Sequence, residues 1–115
     1  MKPIVRVTLV LLAFAYTLTT HAQTPSNATG WTQITQFGCH AVNDICFLRV
    51  EAAVTNPEVT SCPNPGQIRW RLSDPGGEAI FSLVSTATAT GKEIAIYLNS
   101  SCLGNYPRVN YVWIR

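Results

Sequence analysis

The hydrophobic pattern is clearest from Glu78 to Leu98 (EAIFSLVSTATATGKEIAIYL), where its period changes once. Ile80, Leu83, Val84 and Ala87 recur at i, i+3, i+4 and i+7, which predicts a helix with one apolar face. Gly91 suits the left-handed turn that stops a helix, and Lys92 beside it suits the negative end of the helix dipole. Ile94, Ile96 and Leu98 then alternate with Ala95 and Tyr97, the period of a half-buried strand.

Upstream, the same alternation predicts three strands. Trp31 to Cys39 is rich in aromatic and β-branched residues, and Ala41-Val42-Asn43-Asp44 follows as a turn. Ile45 to Val54 places Cys46, Leu48, Val50 and Ala52 on one face and Phe47, Arg49 and Glu51 on the other. Three prolines make Asn56 to Gly66 a loop. Gln67 to Ser73 follows, with Ile68, Trp70 and Leu72 inward and Arg69 and Arg71 outward, and Asp74-Pro75-Gly76-Gly77 breaks the chain before the helix. Downstream of the helix and its strand, Asn99 to Pro107 reads as a loop. Arg108 to Arg115 is the last strand, with Val109, Tyr111 and Trp113 on one face and Val112 and Ile114 on the other.

The order is β-β-β-α-β-β. That is a mainly β chain whose single helix lies between strands three and four, the order of a small five-stranded OB-like barrel. An α+β open sheet with the helix on one face is the alternative. Apolar residues on both sides of the last strand favour the barrel.

The N-terminus changes the charge argument. Lys2 and Arg6 precede an apolar run from Val7 to Leu18, and Thr20-His21-Ala22 supplies the small residues of a cleavage site. A bacterial Sec-type signal peptide over residues 1–22 is expected, cut after Ala22, and with it a secreted or periplasmic protein. Residues 23–30 (QTPSNATG) read as a flexible tail and residues 31–115 as one domain. The chain carries eight Lys and Arg against six Asp and Glu, and two of the eight are Lys2 and Arg6, so the mature protein is neutral. Neutrality argues against nucleic acid and, once the leader is removed, against an anionic membrane as partner.

A domain this small needs help from covalent constraint. Cys39, Cys46, Cys62 and Cys102 all survive cleavage and meet an oxidising compartment, where four cysteines allow three connectivities. Six residues between Cys39 and Cys46 suit closure of a hairpin, which favours Cys39–Cys46 with Cys62–Cys102. A metal site is not expected, because there is no C-x₂-C pair and His40 is the only histidine of the mature chain.

No catalytic constellation is marked. No elbow motif frames a serine, and His40 beside Cys39 reads as an exposed turn residue. The carboxylates Glu51, Glu58, Asp74, Glu78 and Glu93 scatter over turns and element ends, so neither catalysis nor a cofactor is expected. The strongest candidate for binding is a surface. Arg49, Glu51, Arg69 and Arg71 point outward from strands two and three, flanked by the turn at Asn43 and Asp44 and the loop at Asn105 and Tyr106. The bland alternative is a salt-bridge ladder that keeps the sheet soluble. Trp31, Tyr106 and Tyr111 could stack on sugar rings, but aromatics in so small a domain are expected mostly in the core.

Several of these pieces recur together elsewhere. Pro57 to Cys62, Ser73-Asp74-Pro75-Gly76, Ala87 to Lys92 and Cys102 resemble the pattern of a family of small exported bacterial proteins. That resemblance implies a Cys62–Cys102 bond. Ile34-Thr35-Gln36-Phe37, Thr90-Gly91, Ile96-Tyr97 and Tyr106-Pro107 more distantly resemble the B subunits of AB5 toxins of the subtilase cytotoxin type. This implies an OB-fold, homo-oligomerisation and a glycan ligand. The family's pocket serine, however, falls near Gly30 and its pocket tyrosine on Leu98, neither of which has a hydroxyl, so no site residue carries over. The resulting expectation is an exported, non-catalytic binding module for a protein or glycan. The alternative is a periplasmic inhibitor or immunity protein, plugging a partner enzyme with the Cys39–Cys46 loop.

Overall fold

The computed structural model describes residues 28–52, 54 and 60–115. The expected signal peptide, tail residues 23–27 and loop residues 55–59 lie outside them. The elements are β1 (Ala28–Thr32), β2 (Ile34–Cys39), β3 (Ile45–Val50), β4 (Ile68–Arg71), α1 (Gly77–Thr90), β5 (Ile94–Leu103) and β6 (Tyr106–Ile114). No helix among the described residues is long and apolar enough to cross a membrane.

The described residues are mainly β, as expected, with one helix and two disulfides, but their sheet corrects the expectation of five strands in a closed barrel. Six strands form one mixed sheet in the order β1-β5-β6-β4-β3-β2, antiparallel except where β4 meets β6 in parallel, Arg69 opposite Arg108. The sixth strand arises because Trp31 to Cys39 is not one strand. Ala28 to Thr32 pairs with β5 and Ile34 to Cys39 pairs with β3, the partner changing at Gln33. Ala28 to Gly30, assigned to the tail from composition, begin β1, and Ala28 is buried.

No ladder joins β1 to β2, so the sheet is open, yet these two edges are consecutive in the chain and one residue apart. The sheet therefore curls until both edges reach Gln33. That corner is pinned: the Glu51 N–H donates to the Gln33 carbonyl at 3.0 Å, and the Ala52 N–H donates to the buried Thr32 hydroxyl at 3.0 Å. The Gln33 side chain donates in turn to the Gly91 carbonyl at 3.3 Å.

The curl encloses the core. Leu48, Ile68, Trp70, Ile94, Ile96 and Leu98 are almost wholly buried, and α1 adds Ile80, Val84 and Ala87 from the face its spacing predicts. Gly76 and Gly91 bound the helix in left-handed conformation, and the Lys92 N–H donates back to the Ala87 carbonyl to close its last turn. The helix start is tied to the sheet by the Trp70 indole, which donates to the Gly77 carbonyl at 3.1 Å.

The disulfides are Cys39–Cys46, which bridges directly opposed residues of β2 and β3, and Cys62–Cys102, which ties the proline-rich loop to β5. β5 and β6 together reach further than expected. They fill most of the loop assigned to Asn99 to Pro107, leaving a tight turn at Gly104 and Asn105.

Candidate binding surface

The alternation of β3 and β4 sends Leu48, Ile68 and Trp70 into the core and leaves Arg49, Arg69 and Arg71 on the outer face. Phe47 lies opposite Arg69 and Ile45 opposite Arg71, so the three arginines occupy neighbouring outward positions on two strands. The parallel contact with β6 adds a fourth, Arg108, beside Arg69. Glu51 stands elsewhere, at an exposed bend beyond the end of β3, and forms none of the salt bridges among the described residues.

Two of the four guanidiniums are neutralised by aspartates of the adjoining turns. Arg71 donates to Asp44 Oδ1 at 3.3 Å and to the Asn43 carbonyl at 3.4 Å. Arg108 pairs with Asp74, whose second carboxylate oxygen accepts the Arg71 N–H. Arg69 is held differently. Its Nε and one terminal nitrogen both donate to Gln67 Oε1, at 3.1 and 2.8 Å, and its guanidinium lies 3.4 Å from the centre of the Tyr106 ring. The result is a flat cation fixed in orientation with no carboxylate among its partners. Arg49 is exposed, likewise has no carboxylate partner among the described residues, and sits on the rim of a groove of about 120 Å³ lined also by Leu48, Val54, Pro65 and Ile68.

The loops at the edge of this patch are stiff. Asp44 adopts a left-handed backbone (φ 53°), a conformation that Asp and Asn tolerate best after glycine. Its carboxylate accepts the Ser73 N–H at 3.2 Å, its carbonyl accepts the Leu72 N–H at 3.0 Å, and the Asn43 side chain accepts the Ile45 N–H at 3.3 Å. At the other loop, the Asn105 carbonyl accepts the Asn64 N–H at 2.8 Å. His40 is exposed at the base of the Cys39–Cys46 hairpin, its ring 5.8 Å from that of Phe47.

Hydrogen bonding from Ser73 holds the Asp44 carboxyl below the usual carboxylate range, against the opposing effect of desolvation and with lesser help from Arg71. A carboxylate depressed on folding stabilises the fold above its unfolded pKa, and that contribution disappears as pH falls through the folded value. Asp44→Asn keeps the backbone preference and removes the charge. The stability difference between the two proteins, measured by urea midpoints, is therefore expected to be full near neutrality and to shrink as pH falls below about 4. A difference independent of pH would contradict this role.

The other half of the outer face carries what the sequence pattern missed. Tyr97 lies opposite Tyr111 and Leu98 opposite Val109, so β6 spends an extra residue, Asn110, against one step of β5. This bulge reverses the alternation. Val109 and Val112 point inward together, while Tyr111 and Trp113, expected to share a face with Val109, turn outward at 41% and 53% exposure. Tyr97, on the outer face of β5, is buried beneath them: its ring stacks on Tyr111 at 4.2 Å between centroids and meets Trp113 at 5.2 Å. Trp31 of β1 and Trp113 of β6 flank Ala95 from its two neighbouring strands. Arg115, paired with Glu93 at 3.0 Å, lays its guanidinium 4.4 Å from the Trp31 ring centre. The one available signal was Tyr97 itself, a large aromatic at an outward position of a strand whose inward positions were already filled.

Compared with known protein families, curated proteins and solved structures, the chain matches none.

Proposed function

We propose that this protein is an exported, non-catalytic binding module. It engages its partner through the outer face of β3 and β4 and the loops at Asn43-Asp44 and Asn105-Tyr106. The observation that carries this reading is the state of Arg69, a guanidinium held flat on Tyr106 and aligned by Gln67 with no carboxylate of its own. Near it Arg49 also has no carboxylate partner among the described residues, whereas Arg71 and Arg108 are committed to aspartates. A simple solubility ladder would pair every arginine; one oriented guanidinium, Arg69, with the exposed Arg49 near it, suits the recognition of carboxylates.

Export is supported by the leader-like pattern expected over residues 1–22 and by two disulfides, which persist in oxidising compartments. An OB-like arrangement is the finer fold reading. Its support is that β1 and β2 are consecutive and together flank the curled sheet, as one bent first strand would. Homo-oligomerisation accords with the resemblance of Ile34 to Phe37 and of Thr90 to Tyr97 to toxin B subunits, whereas a glycan ligand gains no support from it, because Gly30 and Leu98 lack the hydroxyls of that family's pocket.

The test offers the exported protein to a glycan array containing sialylated and uronate oligosaccharides, and to its host's exported proteins by affinity capture. A carboxylate-bearing partner is expected. Arg49→Ser/Arg69→Ser should weaken it at least tenfold, since charge-assisted pairs contribute about 1.5–3 kcal/mol each, while changing stability by only about 0.5 kcal/mol. Undiminished binding by the double variant overturns the assignment.

One observation favours the inhibitor reading instead. Val42 is 93% exposed at the tip of the loop closed by Cys39–Cys46, a loop stiffened by the Asp44 contacts. On that reading the partner is an enzyme, and Val42→Asp abolishes a binding that the arginine variant leaves intact.

A further inference from the structure

The outward residues of β3 and β4 lean apart where they meet. Phe47 lies opposite Gly38 on one side and Arg69 on the other. Its ring is turned toward Gly38, with Cε1 and Cζ 3.3 Å from where a Cβ on that glycine would stand. The ring has this seat because residue 38 carries no side chain. Arg69 turns the other way, toward β6, where its guanidinium rests on Tyr106 and its Nε edge is taken up by Gln67. Two side chains that oppose each other across the ladder therefore diverge, and a cleft opens between them above the β3–β4 backbone.

The walls of this cleft differ. On the β3 side stand Phe47 and Ile45, both half-buried on the outer face. On the β4 side stands Arg69, whose terminal nitrogens are left to meet a carboxylate end-on, because Gln67 occupies the other edge. Continuing the β3–β4 register past Phe47 and Arg69 sets Arg49 opposite Gln67, so a second cation stands at one end of the cleft.

We infer that the carboxylate received at Arg69 is the chain end of a polypeptide whose last residue is aromatic or large and aliphatic, and that Phe47, seated on Gly38, is the residue that selects it. This rests on the reading of the β3–β4 face as a binding surface and narrows its partner.

The two walls together choose this occupant. An α-carboxylate and the side chain of the same residue diverge from one carbon, so they reach a donor wall and an apolar wall at once. An aspartate or glutamate side chain brings its carboxylate with no apolar branch beside it. A sugar acid surrounds its carboxylate with hydroxyls, which would lose water against Phe47 and Ile45 without gaining partners. The cleft is also open along its length, so a small free acid leaves most of the face uncovered, whereas a chain end continues onto the flanking loops. A face kept only for solubility gains nothing from a glycine within a strand, which costs backbone freedom.

The experiment titrates the isotope-labelled protein with a short serine-rich peptide ending in phenylalanine, the same peptide amidated at its C-terminus, the same peptide ending in glycine, and hexanoate. Binding is followed through backbone amide shifts by NMR. The phenylalanine-ended acid is expected to bind saturably, in the millimolar range or tighter, and to shift the amides of Phe47 and Arg69. It should bind at least about tenfold more tightly than each of the other three. Phe47→Ala should lower the ratio of the phenylalanine-ended to the glycine-ended affinity about tenfold. Gly38→Val should do the same, since valine suits a strand and takes the seat of the ring. A general loss of fold would not act on that ratio alone. Absence of binding by all four ligands overturns the inference. Equal binding of the two acids, or of acid and amide, also overturns it, as does a ratio that survives both substitutions. Hexanoate binding as tightly as the peptide assigns the cleft to a free acyl acid and overturns the chain end. The broader reading of the face fails on a separate measurement, undiminished partner capture by Arg49→Ser/Arg69→Ser.

Discussion

Replacing Cys62 and Cys102 together by alanine should lower the unfolding free energy by roughly 4 kcal/mol, the loop-entropy value for a 40-residue separation. The same exchange at Cys39 and Cys46, 7 residues apart, should cost about 2.5 kcal/mol. The difference follows from what each bond restrains. Cys39 and Cys46 are already held opposite one another by the β2–β3 ladder and a short turn. Cys62–Cys102 closes a loop containing β4, all of α1 and most of β5, and anchors the proline-rich segment that β3 and β4 leave between them. Small domains have total stabilities of about 5–15 kcal/mol, so loss of the long-loop bond is expected to leave a population of unfolded chains at growth temperature. Urea titrations of the two double variants read the comparison directly. A larger loss from the short-loop pair would mean that the hairpin, not the helix connection, limits stability.

The second large effect is expected at Gly77. This first residue of α1 is buried, and a Cβ built on it would lie 2.2 Å from the Arg71 carbonyl oxygen and 2.6 Å from that of Leu72. Both neighbours are backbone at the end of β4, so relief requires moving the helix away from the strand. The Gly77 carbonyl also accepts the Trp70 indole hydrogen bond, and Trp70 is the largest fully buried side chain. Gly77→Ala should therefore cost about 3 kcal/mol or more, by overpacking and by displacement of that bond. Gly91→Ala is the control. It meets nothing within 4 Å and should cost only the strain of a left-handed alanine, about 1 kcal/mol. Equal effects at the two glycines would show that Gly77 serves only the turn and not the close approach of helix to strand.

These effects also show which parts of the fold could be read from the sequence. The helix, its apolar stripe and its glycine stop were legible because all depend on residues within one turn of one another, and Ile80, Val84 and Ala87 are buried as their spacing requires. The inward set of β5 was legible for the same reason, and the short cysteine spacing matched a hairpin. What failed was decided by partners distant in sequence. Nothing local to Trp31 to Cys39 shows that hydrogen bonding passes from β5 to β3 at Gln33, so two strands looked like one. Asn110 looked like an ordinary alternating position, and its bulge is fixed by the register of β6 against β5, which is why Tyr111 and Trp113 were placed with Val109.

The arginine patch was legible in its direction, since Trp70 and Ile68 demand the interior and leave Arg69 and Arg71 no other side. Its charge balance was not. Glu51 was the nearest acid in the pattern, but the carboxylates that engage Arg71 and Arg108 come from the turns at Asp44 and Asp74, brought in by tertiary folding. The candidate surface that remains is consequently smaller than three arginines in a row: Arg69 on Tyr106, with Arg49 near it.

That narrowing makes a residue-by-residue measurement the sharpest test of the binding surface. Arginines modified by a dicarbonyl reagent can be quantified individually by mass spectrometry, with the protein alone and with its captured partner bound. Arg49 and Arg69 are expected to lose most of their reactivity in the complex, while Arg115, at the far end of β6, keeps its own. Equal modification of Arg49 and Arg69 in the free and bound protein would contradict a binding face on β3 and β4.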